Sequence, residues 1–291
     1  MKKAKFKLNF ETEAYFDIGR EMEVALPNGS KIVFHKSKGR NLGTIFFEID
    51  EPDESIARNI GQEKVENFFT CLLVTKANFE NLKPIIFPQK PELLNPEDFK
   101  EVPIKRYANL KMAYGITVKL EQRELDATSE FLAKLDKLPR EKREIISRSL
   151  RWFRKASEAD GEDRFIYRWI SFEALVGLVE EGKLPVLLNQ YLTTPVANEI
   201  LEKHKETVNE LSRANLISLS GVNRSEKLRE LLVRARGDPK AILIKAIFCI
   251  REVRHILFHK GEVLELMKGS SSLLRDIIRE CLKFYVQHAT C

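Results

Sequence analysis

The sequence predicts an α+β unit, an antiparallel sheet with one helix, followed by an all-helical bundle. Three observations predict it. Residues 5–10 read Lys-Phe-Lys-Leu-Asn-Phe, an alternation of period two that suits a half-buried strand. From residue 124 onward, apolar residues recur three and four apart, the spacing of amphipathic helices. The chain has 291 residues, enough to bury two cores. The change of pattern divides it into residues 1–125 and residues 126–291.

In the first part, Met22–Leu26 and Lys31–His35 flank Pro27-Asn28-Gly29-Ser30. Asn-Gly between apolar runs supplies the two positive-φ residues of a tight hairpin. Leu42–Ile49 gives a further strand. Asp53 is an N-cap for a helix reaching Lys76, with Ile56, Ile60, Val65, Phe68, Phe69, Leu72 and Leu73 as its buried stripe. Gly61 is expected to weaken or split that helix. Prolines at 84, 88, 91, 96 and 103 make Leu82–Pro103 a loop with one short strand at most. Tyr107–Leu120 reads as extended. No Gly-rich phosphate loop or metal-ligand spacing occurs here, so the expected role is structural or partner recognition, with the partner unspecified. His35 reads as an edge residue.

In the second part, helices are expected over Glu124–Leu138, Arg140–Ala159, Asp163–Glu181, Leu184–Leu192, Val196–Leu211, Ser225–Ala235, Pro239–Lys260 and Leu273–His288. Asp160-Gly161 and Pro195 punctuate them. Gly269-Ser270-Ser271-Ser272 reads as a turn before the last. His204, among Glu202, Lys203, Lys205 and Glu206, reads as exposed, as does His288.

The net charge is +6. Residues 1–125 carry 20 Lys and Arg against 19 Asp and Glu, and the remainder carries 29 against 24, so the helical part holds +5 of it. That fits either a solvated basic surface or a polyanionic partner. Cys71, Cys249, Cys281 and Cys291 form no CxxC pair, and Cys249 and Cys281 sit in apolar helical patterns, as buried thiols of a reducing compartment do. No apolar run approaches the length of a membrane span, and no apolar segment follows Met1-Lys2-Lys3. A cytoplasmic protein without membrane association is expected.

The candidate chemistry lies in Arg251-Glu252-Val253-Arg254-His255-Ile256-Leu257-Phe258-His259-Lys260-Gly261. At about 100° per residue, Cys249, Ile250, Val253, Ile256 and Leu257 share one helix face, and Arg251, Arg254, His255 and His259 gather on the other. Imidazole moves protons near neutral pH, and guanidinium presents a permanently charged fork that suits phosphate. Basic side chains also complement the dipole at a helix C-terminus with no further role. Two His at i, i+4 have the spacing of the zinc-protease helix. That motif needs Glu after the first His, where this chain has Ile256, and Arg254 would repel a cation. No metal or cofactor is expected.

Arg254, four residues, then His259, with polar His255 after the Arg and Lys260-Gly261 behind, resembles the Arg-x4-6-His motif of the HEPN superfamily and its ending in Apea-like HEPN proteins. Phe165-Ile166-Tyr167-Arg168-Trp169-Ile170-Ser171-Phe172-Glu173-Ala174-Leu175-Val176-Gly177 is similar to the aromatic second helix of the same group. The resemblance spans roughly residues 140–291. It implies a helical bundle that forms a homodimer and, in many members, metal-independent RNA cleavage through 2′-hydroxyl attack. His259 would be the general base or acid, Arg254 the phosphate ligand, and His255 a second proton carrier or positioner. Arg251 and Lys260 would support them. Glu173, on an apolar face, would pair with Arg254 or His255, either orienting the site or forming a core salt bridge. Tyr167, Trp169 and Phe172 read as core or dimer packing, or as a base-stacking platform. In place of an RNase, the resemblance also allows an inactive RNA-binding or protein-interaction module of the defence or toxin/antitoxin kind.

Overall fold

A computed structural model describes residues 3–50, 53–76, 86–88, 92–94, 118–179, 183–233, 238–261 and 265–289, with the side chains of 13–16, 37–42, 86–88, 93, 118 and 260 outside the description. The chain divides into two compact units, Met1–Asp136 and Lys137–Cys291.

The first unit is an antiparallel sheet carrying a helix. β1 (Ala4–Ile18) pairs along its length with β4 (Ser37–Ile49), with a register shift between Glu11 and Tyr15. β2 (Met22–Ala25) and β3 (Lys31–Phe34) form the predicted hairpin, and β3 pairs with β4. A single 3-10 turn, Pro27–Gly29, closes the hairpin with Asn28 at φ 64° and Gly29 at φ 72°. The two residue types that tolerate positive φ stand where the turn needs them. Two short strands, β5 (Ile86–Pro88) and β6 (Glu92–Leu94), pair with β1 where one at most is expected. Pro88 stands at the end of β5, a position where a strand tolerates proline. β7 (Val118–Lys119) runs parallel to β1. Residues 107–117 of the expected extended segment lie outside the described residues.

The alternation of β1 puts Phe6, Leu8 and Phe10 in the core. α1 (Glu54–Thr75) starts at Asp53, whose carboxylate accepts from Ser55 and Ile56 N–H groups at 2.7 and 2.9 Å. Its Phe68 and Phe69 pack on Phe34 with ring centroids 5.9 and 6.1 Å apart. The helix is not split at Gly61. A Cβ there would stand 2.7 Å from Leu8 Cδ2 and 2.9 Å from Phe47 Cε1. The glycine is the close-approach point of helix and sheet. Gly61→Ala is therefore expected to lower stability by about 1–3 kcal/mol through overpacking, despite the better helix propensity of Ala. Thermal unfolding checks this, and an unchanged or raised Tm would refute it.

α2 (Gln122–Lys137) packs in the same unit. Thr128 and Thr75 hydroxyls meet at 2.7 Å, Lys76 pairs with Glu124 at 2.6 Å, and Ser129 Oγ donates to the Ala25 carbonyl.

The second unit is helical: α3 (Arg140–Glu158), α4 (Gly161–Val176), α5 (Leu184–Tyr191), α6 (Thr194–Lys203), α7 (Lys205–Arg213), α8 (Arg224–Val233), α9 (Pro239–Lys260) and α10 (Leu266–His288). α3 and α4 cross closely at two serines: each hydroxyl donates to the other's carbonyl, at 2.9 and 2.8 Å. α10 is central, touching α4, α5, α6, α7 and α9. Among the described residues, no helix is long and apolar enough to cross a membrane.

Two expectations are corrected here. The helix expected over 196–211 is broken at His204 (φ −112°, ψ 24°) into α6 and α7. And Gly269–Ser272 is no turn: it lies inside α10, with Ser270 and Ser271 buried. A Cβ at Gly269 would come within 2.5 Å of Thr207 Oγ1. The small residues are where α7 lies against α10.

Candidate functional site

α9 is set by its ends. The Asp238 side chain accepts from Lys240 N–H at 3.0 Å, Pro239 occupies the first turn where its missing N–H costs nothing, and Gly261 stops the helix at φ 67°. Leu243, Ala246, Ile247, Cys249, Ile250, Val253 and Leu257 are buried along one side. Burial pushes the Cys249 thiol up to about 12, so it is no nucleophile. Cys71 and Cys281 are likewise buried with raised pKa values, and Cys291 lies outside the described residues.

On the other side, His255 and His259 come together. Their rings stack at 5.8 Å between centroids, 23° from parallel, with His255 half-buried and His259 exposed. Arg254 goes elsewhere: its guanidinium lies over the Phe258 ring at 5.1 Å. Five residues of helix put Arg254 and His259 about 140° apart around the axis. A single copy of α9 therefore does not aim both at one small group.

Arg251 belongs to a second cluster, one or two turns upstream. Its guanidinium lies 5.1 Å from the Phe248 ring centroid, that of Arg224 from α8 lies 5.2 Å from the same ring, and Lys245 Nζ is 5.9 Å away. Glu252, only 3% exposed, answers two of these charges, at 3.5 Å from Arg251 Nη2 and 3.7 Å from Arg224 Nε. The Nε groups of Arg224, Arg251 and Arg254 are buried without a hydrogen-bond acceptor. Sequence reasoning missed Arg224, Phe248 and Glu252. Phe248 is legible in the same stripe as His255, seven residues on, whereas Arg224 reaches it from another helix.

The structure corrects the reading of Glu173. It is exposed, and among the described residues it makes no ion pair. α4 packs against α3 and α10, and Glu173 is not the buried carboxylate expected to pair with Arg254 or His255. Trp169 and Phe172, 3% and 0% exposed and 5.9 Å apart, are core, whereas Tyr167 pairs with Trp152 at 5.4 Å. Neither Trp169 nor Phe172 is a platform open to a base. Lys260 ends α9, with its side chain outside the described residues.

The buried carboxylate of this unit is Asp276, and His204, expected to be exposed, is its partner. His204 is 6% exposed, with Nε2 2.9 Å from Asp276 Oδ2. Lys203 Nζ lies 2.7 Å from the same oxygen, Arg275 Nη2 2.8 Å from Oδ1 and Arg279 Nη1 3.8 Å from it. Burial raises the Asp276 pKa, but the His204 hydrogen bond, the Arg275 charge and Lys203 outweigh it and hold the carboxyl well below the usual range. Arg168 on α4 donates to Ser271 Oγ at 3.1 Å, and burial, reinforced by Arg164, lowers its pKa to about 10. This network joins α4, the α6–α7 junction and α10 and is structural in form.

In the first unit, His35 is part-buried at the end of β3, with Nε2 2.9 Å from Thr44 Oγ1 and Nδ1 3.4 Å from Glu21 Oε2. Among the described residues, no three His, Cys, Asp or Glu side chains are grouped to hold a metal ion. Comparison with protein-family models, with curated proteins and with solved structures finds no match to the chain.

Proposed function

We propose that the chain is a metal-independent endoribonuclease of the HEPN type, acting as a homodimer. The observation that carries the reading is the stacked His255–His259 pair on the solvent side of a helix that also bears Arg251 and Arg254. Two imidazoles one turn apart provide a proton acceptor and a proton donor near neutral pH, and guanidinium holds phosphate oxygens.

In the proposed reaction, His259 accepts the proton of a ribose 2′-hydroxyl as that oxygen attacks the adjacent phosphorus. The bond to the 5′-oxygen breaks, and His255 gives that leaving oxygen a proton. The products are a 2′,3′-cyclic phosphate and a 5′-hydroxyl. Arg254 stabilises charge on the non-bridging oxygens. The divergence of Arg254 and His259 within one copy supports a composite cleft. Two copies related by a twofold axis near Arg254 would bring a guanidinium from one helix to the imidazoles of the other.

The proposal is tested by incubating the protein with mixed RNAs in EDTA and analysing the new ends. Cleavage undiminished by chelation, leaving cyclic phosphate termini, is the expected result. Activity lost in EDTA and restored by magnesium or zinc would refute the mechanism, and a monomer by light scattering at micromolar concentration would refute the composite cleft. RNA binding without cleavage would favour the inactive-module reading.

A further inference from the structure

Resting on the ribonuclease reading, we propose that the half-buried to exposed stripe of α9 is a track for single-stranded RNA. In it, Arg224 and Arg251 hold a phosphate upstream of the His pair, and Phe258 stacks a base beside it. Three observations carry this. The first is an imbalance of charge. Arg224, Arg251 and Lys245 surround one Phe248 ring at 5.1–5.9 Å, and among the described residues the carboxylate paired with them is Glu252, one charge against three. It stands 3.5 and 3.7 Å from the two guanidiniums, close enough for Coulomb attraction but too far for short charge-assisted hydrogen bonds. A guanidinium lying on an aromatic ring uses its face, and with Nε of Arg224 and Arg251 buried, the contact with phosphate oxygens falls to their Nη donors.

The second observation is Phe258. It is 55% exposed, although it is a large aromatic on a helix with a fully formed core side. Arg254 lies over its ring at 5.1 Å, the arrangement in which an aromatic and a guanidinium both offer flat faces to a nucleobase. The third is spacing. Phe248, Arg251 and His255 follow the helix at intervals of three and four, with Phe258 and His259 three and four residues beyond His255, so they form one stripe, about 15 Å from Phe248 to Phe258. That length spans two or three nucleotides of an extended strand. A duplex would keep its base faces stacked away from Phe258, so the chemistry of the stripe selects an unpaired strand.

The test is fluorescence anisotropy on the full chain with a short mixed-sequence 2′-O-methyl oligonucleotide, which cannot be cleaved. It is run as a single strand and as a duplex. The single strand is expected to bind at least tenfold more tightly. Phe258→Ala should weaken single-strand binding about tenfold and Phe258→Tyr should not. Arg224→Gln and Arg251→Gln should each weaken it and reduce the salt dependence by about one released counterion. Arg224→Lys, which leaves Glu252 with its charge partner, separates loss of the fork from misfolding. It should fold like the parent, by circular dichroism, and bind less tightly. Equal affinity for duplex and single strand, or wild-type affinity in both Phe258→Ala and Arg224→Lys, would overturn the track. Conversion of a dimer to a monomer by Phe258→Ala would also overturn it, as that makes the ring a subunit contact. The two proposals fail separately. Phe258-dependent single-strand binding without cleavage keeps the track and removes the catalytic reading. Cleavage that is indifferent to Phe258 and Arg224 does the reverse.

Discussion

His259→Ala is expected to reduce RNA cleavage by about 10²–10⁴-fold while leaving affinity for RNA nearly unchanged. A proton carrier acts mainly in the transition state, so its loss appears in the rate and not in ground-state binding. His259 is exposed at the last turn of α9, where truncation leaves the buried face of Leu243, Ile250, Val253 and Leu257 untouched. The variant should therefore fold. Arg254→Ala differs in kind. Its charge is fixed and acts on phosphate before and during reaction, so both affinity and rate should fall, and Arg254→Lys should recover binding better than rate because the fork is lost. His255→Ala should lie between His259→Ala and the parent if His255 carries the second proton, and be close to the parent if it only packs against His259. Rates under single-turnover conditions, beside anisotropy on the same RNA, separate these outcomes. A His259→Ala protein that cuts RNA at the parental rate would end the catalytic reading.

Local signals marked the parts of this fold whose causes are local. Asn28-Gly29 located the hairpin because only residues tolerant of positive φ close such a turn. Asp238-Pro239 and Gly261 marked both ends of α9 because caps and stops act within one turn. What the sequence hid depends on residues far apart in the chain. Gly61 read as a weak point in a helix and Gly269 as part of a turn, yet each is where another element comes too close for a Cβ. His204 sits among charged neighbours and looks solvated, but its partner Asp276 is 72 residues away. Glu173 follows the reverse course: apolar neighbours suggested burial, while α4 packs against α3 and α10 with that position left in solvent. In the candidate site, the His255–His259 pair was legible as an i, i+4 spacing. The diversion of Arg254 to Phe258 and of Arg251 to Phe248 and Glu252 was not, since aromatic faces compete for guanidinium in ways that spacing does not record.

Asp276→Asn should cost the helical unit about 3–5 kcal/mol, the range for removing one partner of a buried charge network. Asn keeps the size and one acceptor, so the cost isolates the lost charge. Arg168, Arg275 and Arg279, 4–6% exposed, and Lys203 and His204 would be left without the carboxylate at their centre. The effect should also depend on pH in a definite direction. The Asp276 carboxyl is held low in the folded protein by His204, Arg275 and Lys203 against the opposing pull of burial. In the unfolded chain it would titrate near 4. Above that value both states are ionised, and the full contribution is present. Below it the unfolded chain takes up a proton that the folded protein refuses, and the contribution is lost progressively as pH falls through the folded-state value. The stability gap between the parent and Asp276→Asn should therefore be largest at neutral pH and narrow as pH drops below about 4. Urea unfolding at a series of pH values measures it. A gap that stays constant from neutral pH to the acid range would mean that Asp276 stabilises by shape and hydrogen bonding alone. In that case the His204 junction between α6 and α7 is held without electrostatic help.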